Sequence, residues 1–393
     1  MTYKQALIKR NIELALMFPF VLLGKLAGYL FTLSTQHHIF LFYPSADIGG
    51  SVKVNAEIAA CIKEAKPLVI FSKKPKNNEF RKLFDIEGVR VLDLHRYIDN
   101  KLFHFVNFFF RGVLAALINK ADNPVVFGGE SLYFYKIIPH VKKGTKCIEL
   151  IHLNTWFNFT QAFIDYIDLR IFSTPQIMRE AENLYRSNNL PQKYFDKLKF
   201  IDNKIFIPHY HPVHNPQLEV VFVGRGAPQK RVYLIAEIAK RMHEAGKKVH
   251  ISFVGDVEKI VPEEIQKYTT LYGNLDKTQL EKVYARSDVL LLTSAYEGLP
   301  IVVMDMMARG KVVVSTAVGG IPDYIENGKS GFLVYETDEQ AIIEQSIGYL
   351  DQLINDPVLK RDLGKKAYDF AKTHFDETVF DDFYRGVILG KGR

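Results

Sequence analysis

Residues 289–325 read VLLLTSAYEGLPIVVMDMMARGKVVVSTAVGGIPDYI, and this stretch decides the fold. Two apolar runs, VLLLTS (289–294) and VVVST (312–316), stand on either side of a segment with helical spacing. A run apolar on both faces must be covered on both, which is the situation of a strand inside a parallel sheet. Glu297 falls at the end of the first strand, followed by Gly298, Leu299 and Pro300, and a helix starts near Ile301. Such a turn leaves backbone N–H groups pointing out of a helix N-terminus, a setting suited to phosphate. Asp305 stands eight residues beyond Glu297. The two carboxylates can bracket one ligand, Glu297 near sugar hydroxyls and Asp305 near ribose hydroxyls. Acids that favour the helix dipole account for Asp305 alone, but not for the whole turn. Gly319, Gly320, Ile321 and Pro322 make another tight turn after the next strand.

Upstream, VVFVGRGAPQKRVYLIAEIAKRM (220–242) repeats the order strand, turn, amphipathic helix. Gly224 and Arg225 sit at the strand's carboxyl end, and Lys230 follows five residues after Arg225 at the helix start. Ligands of open α/β sheets bind at the carboxyl ends of the strands. Arg225, a planar fork, and Lys230, a point charge, therefore form a candidate diphosphate clamp. Solvated loop cations are the plain alternative. Tyr272 is counted with the donor-side contacts.

The same alternation runs along the whole chain. Strands are expected at 38–43, 68–71, 89–94, 124–128, 147–152, 169–173, 204–208, 220–224, 249–255, 289–294 and 312–316, with helices between them. A chain of 393 residues exceeds what one core usually serves. Each half reads as a doubly wound α/β domain. The linker is PHYHPVHNPQ (208–217). Its His209, His211 and His214 lack a nearby acidic or thiol ligand, so the segment reads as a connector and not as a metal site. Four parts result: an apolar segment 1–35, a first domain 36–215, a second domain 216–375, and a tail 376–393.

Through Asn215 there are 28 Lys and Arg against 18 Asp and Glu, and afterwards 23 against 26. The first half is thus basic by ten charges and the second acidic by three. A basic domain suits an anionic partner such as a lipid surface, a phosphorylated acceptor or a nucleic acid, or simply carries solvated lysines. No nucleic-acid-reading motif is present, so that partner is not expected. Cys61 and Cys147 form no CxxC pair and read as reduced thiols of a cytosolic protein.

Residues 14–33, LALMFPFVLLGKLAGYLFTL, are apolar and preceded by Lys4, Lys9 and Arg10. Lys25 interrupts the run, Pro19 falls inside it, and no small-residue cleavage site follows. A helix in the bilayer interface, or one packed on the first domain, fits better than a signal peptide or a clean span. The aromatic segment RYIDNKLFHFVNFFFR (96–111) reads either as core or as a second element dipping into lipid.

Taken together, the Arg–x4–Lys pair, the EGLP element with its acid eight residues on, and VGGIPDYIENGKSGFLV (318–334) resemble glycosyltransferase family 4. The resemblance covers roughly residues 218–335 and is looser elsewhere. It implies an α/β GT-B fold, with two Rossmann-like doubly wound domains facing each other across a cleft and a C-terminal helix returning to the first domain. It implies a retaining enzyme that takes a hexose-type sugar from a UDP- or GDP-sugar without a metal ion or other cofactor. Arg225 and Lys230 would bind the donor diphosphate and stabilise the leaving nucleotide, Glu297 the transferred sugar, and Asp305 the ribose. Family members usually have Glu at this last position, so Asp305 reaches one methylene less far.

In the first domain, PSADIGGSVKVNAEIA (44–59) places Gly49 and Gly50 before a helix, like the family's glycine-rich loop near the donor phosphates. An ordinary tight turn explains the pair equally well. His152 ends CIELIH, where similar family members place a histidine facing the transferred sugar. A structural strand-end histidine is the alternative. With the basic first half and the apolar N-terminus, the expected acceptor is a membrane-associated glycan or lipid-linked intermediate of polysaccharide, capsule or lipopolysaccharide synthesis. The expected location is the cytoplasmic face of the cell membrane, held peripherally. The competing classes are an epimerase or phosphorylase of the same fold and a catalytically inactive membrane scaffold or nucleotide-sugar-binding protein. The scaffold predicts a broken clamp, yet Arg225, Lys230 and Glu297 are all in place.

Overall fold

The computed structural model describes residues 2–30, 37–99, 104–212 and 214–390. The chain divides into two compact units, Met1–Asn203 with Thr378–Arg393, and Lys204–Glu377.

The first unit holds β1 (Ile39–Tyr43), β2 (Leu68–Phe71), β3 (Arg90–Asp93), β4 (Val125–Gly129), β5 (Lys146–Ile151), β6 (Leu169–Phe172) and β7 (Leu198–Phe200). They form one parallel sheet in the order β3-β2-β1-β4-β5-β6-β7. The order reverses between β1 and β4, the switch point of a doubly wound fold. β1 is buried along its whole length, as an interior parallel strand requires. One charged network sits inside this core. Arg170 on β6 donates through Nε to Glu149 on β5 at 2.6 Å and through a terminal nitrogen to Thr160 at 3.0 Å. Tyr135 and Tyr185 complete the shell of Glu149 and Arg170. A buried pair of this kind persists only when its remaining valences are satisfied, and three partners, Thr160, Tyr135 and Tyr185, satisfy them here.

The second unit holds β8 (Leu218–Val223), β9 (Val249–Val254), β10 (Thr270–Leu271), β11 (Val289–Leu292), β12 (Val312–Thr316) and β13 (Phe332–Val334). Its parallel sheet runs β10-β9-β8-β11-β12-β13, with the switch point between β8 and β11. β11 and β12 are buried end to end. Helix Val232–Glu244 packs against helix Glu339–Asn355, and Ile301–Met307 against Pro357–His374. Side chains cap three helix starts in this unit: Asp276 and Gln279 form a reciprocal capping box on Lys277–Arg286, and Asp338 and Asp356 accept the N–H of Ala341 and Leu359 at the starts of Glu339–Asn355 and Pro357–His374.

The last helix, Glu377–Leu389, buries Phe380, Tyr384 and Ile388, spaced four apart on one face. The Tyr384 ring meets Phe127 of β4 edge-on at 6.2 Å. The C-terminal helix therefore belongs to the first unit, and the architecture is two Rossmann-like units of the GT-B type.

Four strand readings change. The segment KIFIP (204–208) is no strand: Ile205 donates to the Phe375 carbonyl instead, and Pro208 has no donor for a ladder. β7, β10 and β13 are additional. β7 carries Lys199 between its apolar ends and β10 has only two residues, too little for periodicity to mark. β13 is a three-residue run, Phe-Leu-Val. The described part of 208–217 has neither helix nor strand, and Val213 of that segment lies outside the described residues. Tyr210 packs on Tyr368, whose hydroxyl donates to the Pro208 carbonyl at 3.1 Å. Cys61 and Cys147 are buried and unbridged.

Candidate functional site

In the second unit, the loops after β8 and β11 meet at the switch point. After β8 the chain passes Gly224, Arg225 and Gly226 into a 3-10 turn, Pro228–Lys230, and Arg231 starts the following helix in a left-handed conformation, φ 45°. Arg231 locks this loop onto its neighbour, its Nε donating to the Thr293 carbonyl at 2.7 Å and a terminal nitrogen to that of Ser294 at 3.0 Å. Ala295 in turn donates to the Gln229 carbonyl at 2.8 Å, and the Gln229 amide to that of Tyr296 at 2.7 Å. These bonds bring Lys230 and Glu297 together as an ion pair with both side chains largely buried.

A third loop sets the position of Glu297. Gly319 has φ +62°, and a Cβ there would lie 1.8 Å from the Glu297 carbonyl oxygen. Only glycine permits this approach. Gly320 then donates to the Gly298 carbonyl at 2.8 Å. Leu299 is buried beneath the turn, and Pro300 stands immediately before the helix Ile301–Met307. The backbone N–H groups of Gly298 and Leu299 have no hydrogen-bond partner among the described residues. Arg225 is exposed, and its guanidinium makes no hydrogen bond or ion pair among the described residues. An unpaired fork, a lysine–glutamate pair and two open amides at strand carboxyl ends can take up an anionic, hydroxyl-bearing ligand.

The other candidates sit as follows. The N–H of Gly224 is engaged with the Val254 carbonyl at 3.0 Å, so this glycine contributes close packing rather than a donor. Asp305 lies on the helix face toward Arg309, which donates to its carboxylate at 3.3 Å and to Glu281 at 2.6 Å. Tyr272 follows β10, two strands from β8, its ring partly exposed and its N–H bonded to Phe253. Among the described residues, no three His, Cys, Asp or Glu side chains are grouped to hold a metal ion, and this includes His209, His211 and His214.

In the first unit, Gly49 precedes helix Gly50–Cys61 in an extended conformation, with open space where a Cβ would stand. His152 follows β5; its Nε2 is buried and unpartnered among the described residues. Burial holds its pKa down at about 4, so the ring is neutral at physiological pH. Sequence reading missed its neighbour Glu130. This residue follows β4 with φ +56° and accepts the His152 N–H at 3.1 Å. Burial raises its carboxyl to about 7, against the lowering effect of the His152 and Leu153 amides. The Gly-Gly at the end of β4 was the available signal of an unusual turn there.

The fold is that of two doubly wound α/β units, and comparison with known proteins places it further. Residues 206–370, nearly all of the second unit, match the family model described as "Glycosyl transferases group 1". The chain is 31% identical over 188 residues to the putative colanic acid biosynthesis glycosyltransferase WcaL of Escherichia coli K12, a match covering 43% of this chain and 46% of that protein. It is 25% identical to the capsular polysaccharide biosynthesis glycosyltransferase CapM of Staphylococcus aureus, over 47% and 49% of the two chains. The chain thus spans about half the length of these relatives. In three dimensions it resembles the crystal structure of Anabaena HepE in complex with UDP-glucose, with TM-score 0.68 at 15% identity, covering 90% of this chain and 99% of that one.

Proposed function

We propose that the protein is a retaining glycosyltransferase that moves a hexose-type sugar from a UDP- or GDP-sugar to a membrane-associated glycan or lipid-linked acceptor. The product feeds polysaccharide, capsule or lipopolysaccharide synthesis at the cytoplasmic face of the cell membrane. The observation that carries this reading is the convergence of unpaired Arg225 with the Lys230–Glu297 pair at the switch point of the second unit. The names of the WcaL and CapM relatives support the class of product, and the HepE complex supports a UDP-sugar as donor.

Departure of a nucleoside diphosphate builds negative charge on its β-phosphate. Preorganised cations and helix N-terminal amides stabilise that charge where it develops. Arg225 and Lys230 take this role with the amides of Gly298 and Leu299. Binding of the diphosphate draws Lys230 away from Glu297, which then accepts hydrogen bonds from hydroxyls of the transferred sugar. Asp305 is assigned to the ribose, exchanging its bond to Arg309, and Tyr272 to the donor side. His152, neutral and with an open Nε2, is the first unit's candidate for a sugar hydroxyl, and Gly49 and Gly50 are its candidates for phosphate approach. No step requires a metal ion.

The test is transfer from labelled UDP- and GDP-sugars to lipid extracts, with and without EDTA, followed by NMR of the anomeric proton in the product. Transfer that survives EDTA and keeps the donor's anomeric configuration is expected. An inverted product or EDTA-abolished transfer would overturn the mechanism, and no transfer from any donor the activity.

A further inference from the structure

The N-terminal helix Tyr3–Leu30 is tied to the first unit along its length. The N–H of Tyr3 donates to the Asn188 side chain at 3.0 Å, and Arg10 donates to the Ala162 carbonyl at 2.5 Å. Farther on, the helix packs against His104–Lys120 through a seam of small residues. Gly24 and Gly28 belong to GKLAG, and Gly112 and Ala116 to GVLAA. A Cβ on Gly24 would lie 2.0 Å from the Phe109 carbonyl oxygen, and one on Gly112 2.1 Å from that of Val21. Small residues four apart on both helices allow this backbone contact, the packing device of apolar helix pairs. Lys120 closes the seam by donating to the carbonyls of Gly28 and Tyr29 at 2.9 and 3.0 Å.

The charges of the apolar stretch are turned inward or half covered. Glu13 accepts from Arg111, itself only 5% exposed, and from Lys136. The outward face from residue 12 to residue 30 is apolar, including Ile12, Leu16, Phe18, Leu23, Leu26 and Leu30, and no charged side chain there is exposed. Leu16 and Leu30 are 72% and 83% exposed. Exposed Lys4 and Lys9 precede this face on the same helix. A continuous apolar face of this length on a folded domain marks an interaction site.

We propose that this face is a monotopic membrane-docking surface. It seats the first unit in one leaflet of an anionic bilayer, with the helix in the interfacial plane. Its apolar side chains enter the acyl boundary, while Lys4 and Lys9 meet anionic headgroups. The helix has the length and apolarity to cross a membrane. The seam with His104–Lys120 and the anchors at Tyr3 and Arg10 instead hold its inner face on the domain, which leaves one face for lipid. The lysines before the apolar face, together with the first half's excess of ten positive charges, favour an anionic bilayer over a second copy of the same basic unit. The inference extends the membrane-borne acceptor of the proposed reaction. Its test uses no sugar donor, so it succeeds or fails separately from the transferase reading.

The full-length chain is mixed with preformed vesicles of phosphatidylcholine alone or with a quarter phosphatidylglycerol, and bound protein is separated by flotation. Binding to the anionic vesicles is expected, weakened several-fold by raised salt or by Lys4→Glu/Lys9→Glu. The variant Leu16→Glu/Leu23→Glu/Leu26→Glu, altered only at exposed positions, is expected to lose affinity about 100-fold or more. Circular dichroism checks that this variant keeps its fold, and sedimentation velocity compares its oligomeric state with that of the wild type. Wild-type protein that stays unbound would overturn the proposal, as would equal binding by the triple-Glu variant. A wild-type dimer that this variant dissociates, without vesicle affinity, would assign the face to a second copy instead.

Discussion

Lys230→Met isolates what the Lys230–Glu297 pair does in the unliganded protein. The two side chains are 13% and 7% exposed, so removing the ammonium strands a carboxylate largely out of water. Breaking a fully buried pair from one side costs about 3–5 kcal/mol, whereas an exposed pair contributes less than about 1 kcal/mol. The residual exposure here places Lys230→Met between them, at about 2–3 kcal/mol. Much of that cost belongs to the stranded charge. Lys230→Met/Glu297→Gln removes both charges and should recover most of the loss, with a coupling energy of about 1–3 kcal/mol. Activity should not recover, because the diphosphate still lacks its cation. Urea denaturation followed by far-ultraviolet circular dichroism measures Lys230→Met, Glu297→Gln and the double variant. The single tryptophan, Trp156, lies in the first unit and reports there. A cost below about 0.5 kcal/mol at pH 8, or single-variant costs that simply add in the double variant, would refute the reasoning.

Gly319→Ala places a Cβ 1.8 Å from the Glu297 carbonyl at a left-handed φ, so it should displace the Glu297 turn, cost at least about 2 kcal/mol in thermal unfolding and abolish donor binding. Glu149→Ala leaves the Arg170 guanidinium buried without its counter-charge and should cost about 3–5 kcal/mol, read by Trp156 fluorescence in urea. Glu130, raised to about 7, destabilises the fold as it ionises; Glu130→Gln should therefore gain about 1–3 kcal/mol relative to wild type between pH 5 and pH 8, measured by denaturation at both.

The sequence made the interior strands legible because burial on both faces leaves no alternation. VLLL and VVVST read as parallel strands on composition alone, and they occupy the middle of the second sheet. Three edge strands were not legible, because β7, β10 and β13 have only two or three residues each, too few for a pattern, whereas the edge strand β3 was read at 89–94. KIFIP misled because an apolar run needs free N–H groups and a neighbouring strand, and it has Pro208 and the Phe375 carbonyl instead. Within the site, Lys230 and Glu297 could be named as anion and sugar ligands. Their direct pairing across 67 positions was not visible, because it depends on Arg231 bonding the Thr293 and Ser294 carbonyls. Glu130 was missed because its marks are a backbone angle and a bond to a neighbouring strand end. Gly24 and Gly28 were in plain view as a small-residue repeat, but their partners Gly112 and Ala116 lie almost ninety positions away.

The central claim is that Arg225, Lys230 and Glu297 bind the diphosphate and sugar of a nucleotide-sugar donor. Its most direct test is calorimetric titration of the protein with UDP-, GDP- and ADP-sugars, repeated with Arg225→Ala. The account predicts selective binding of one nucleotide class that weakens at least about tenfold when the guanidinium is removed. Binding that Arg225→Ala leaves unchanged, or no binding of any donor by the wild-type protein, would contradict it.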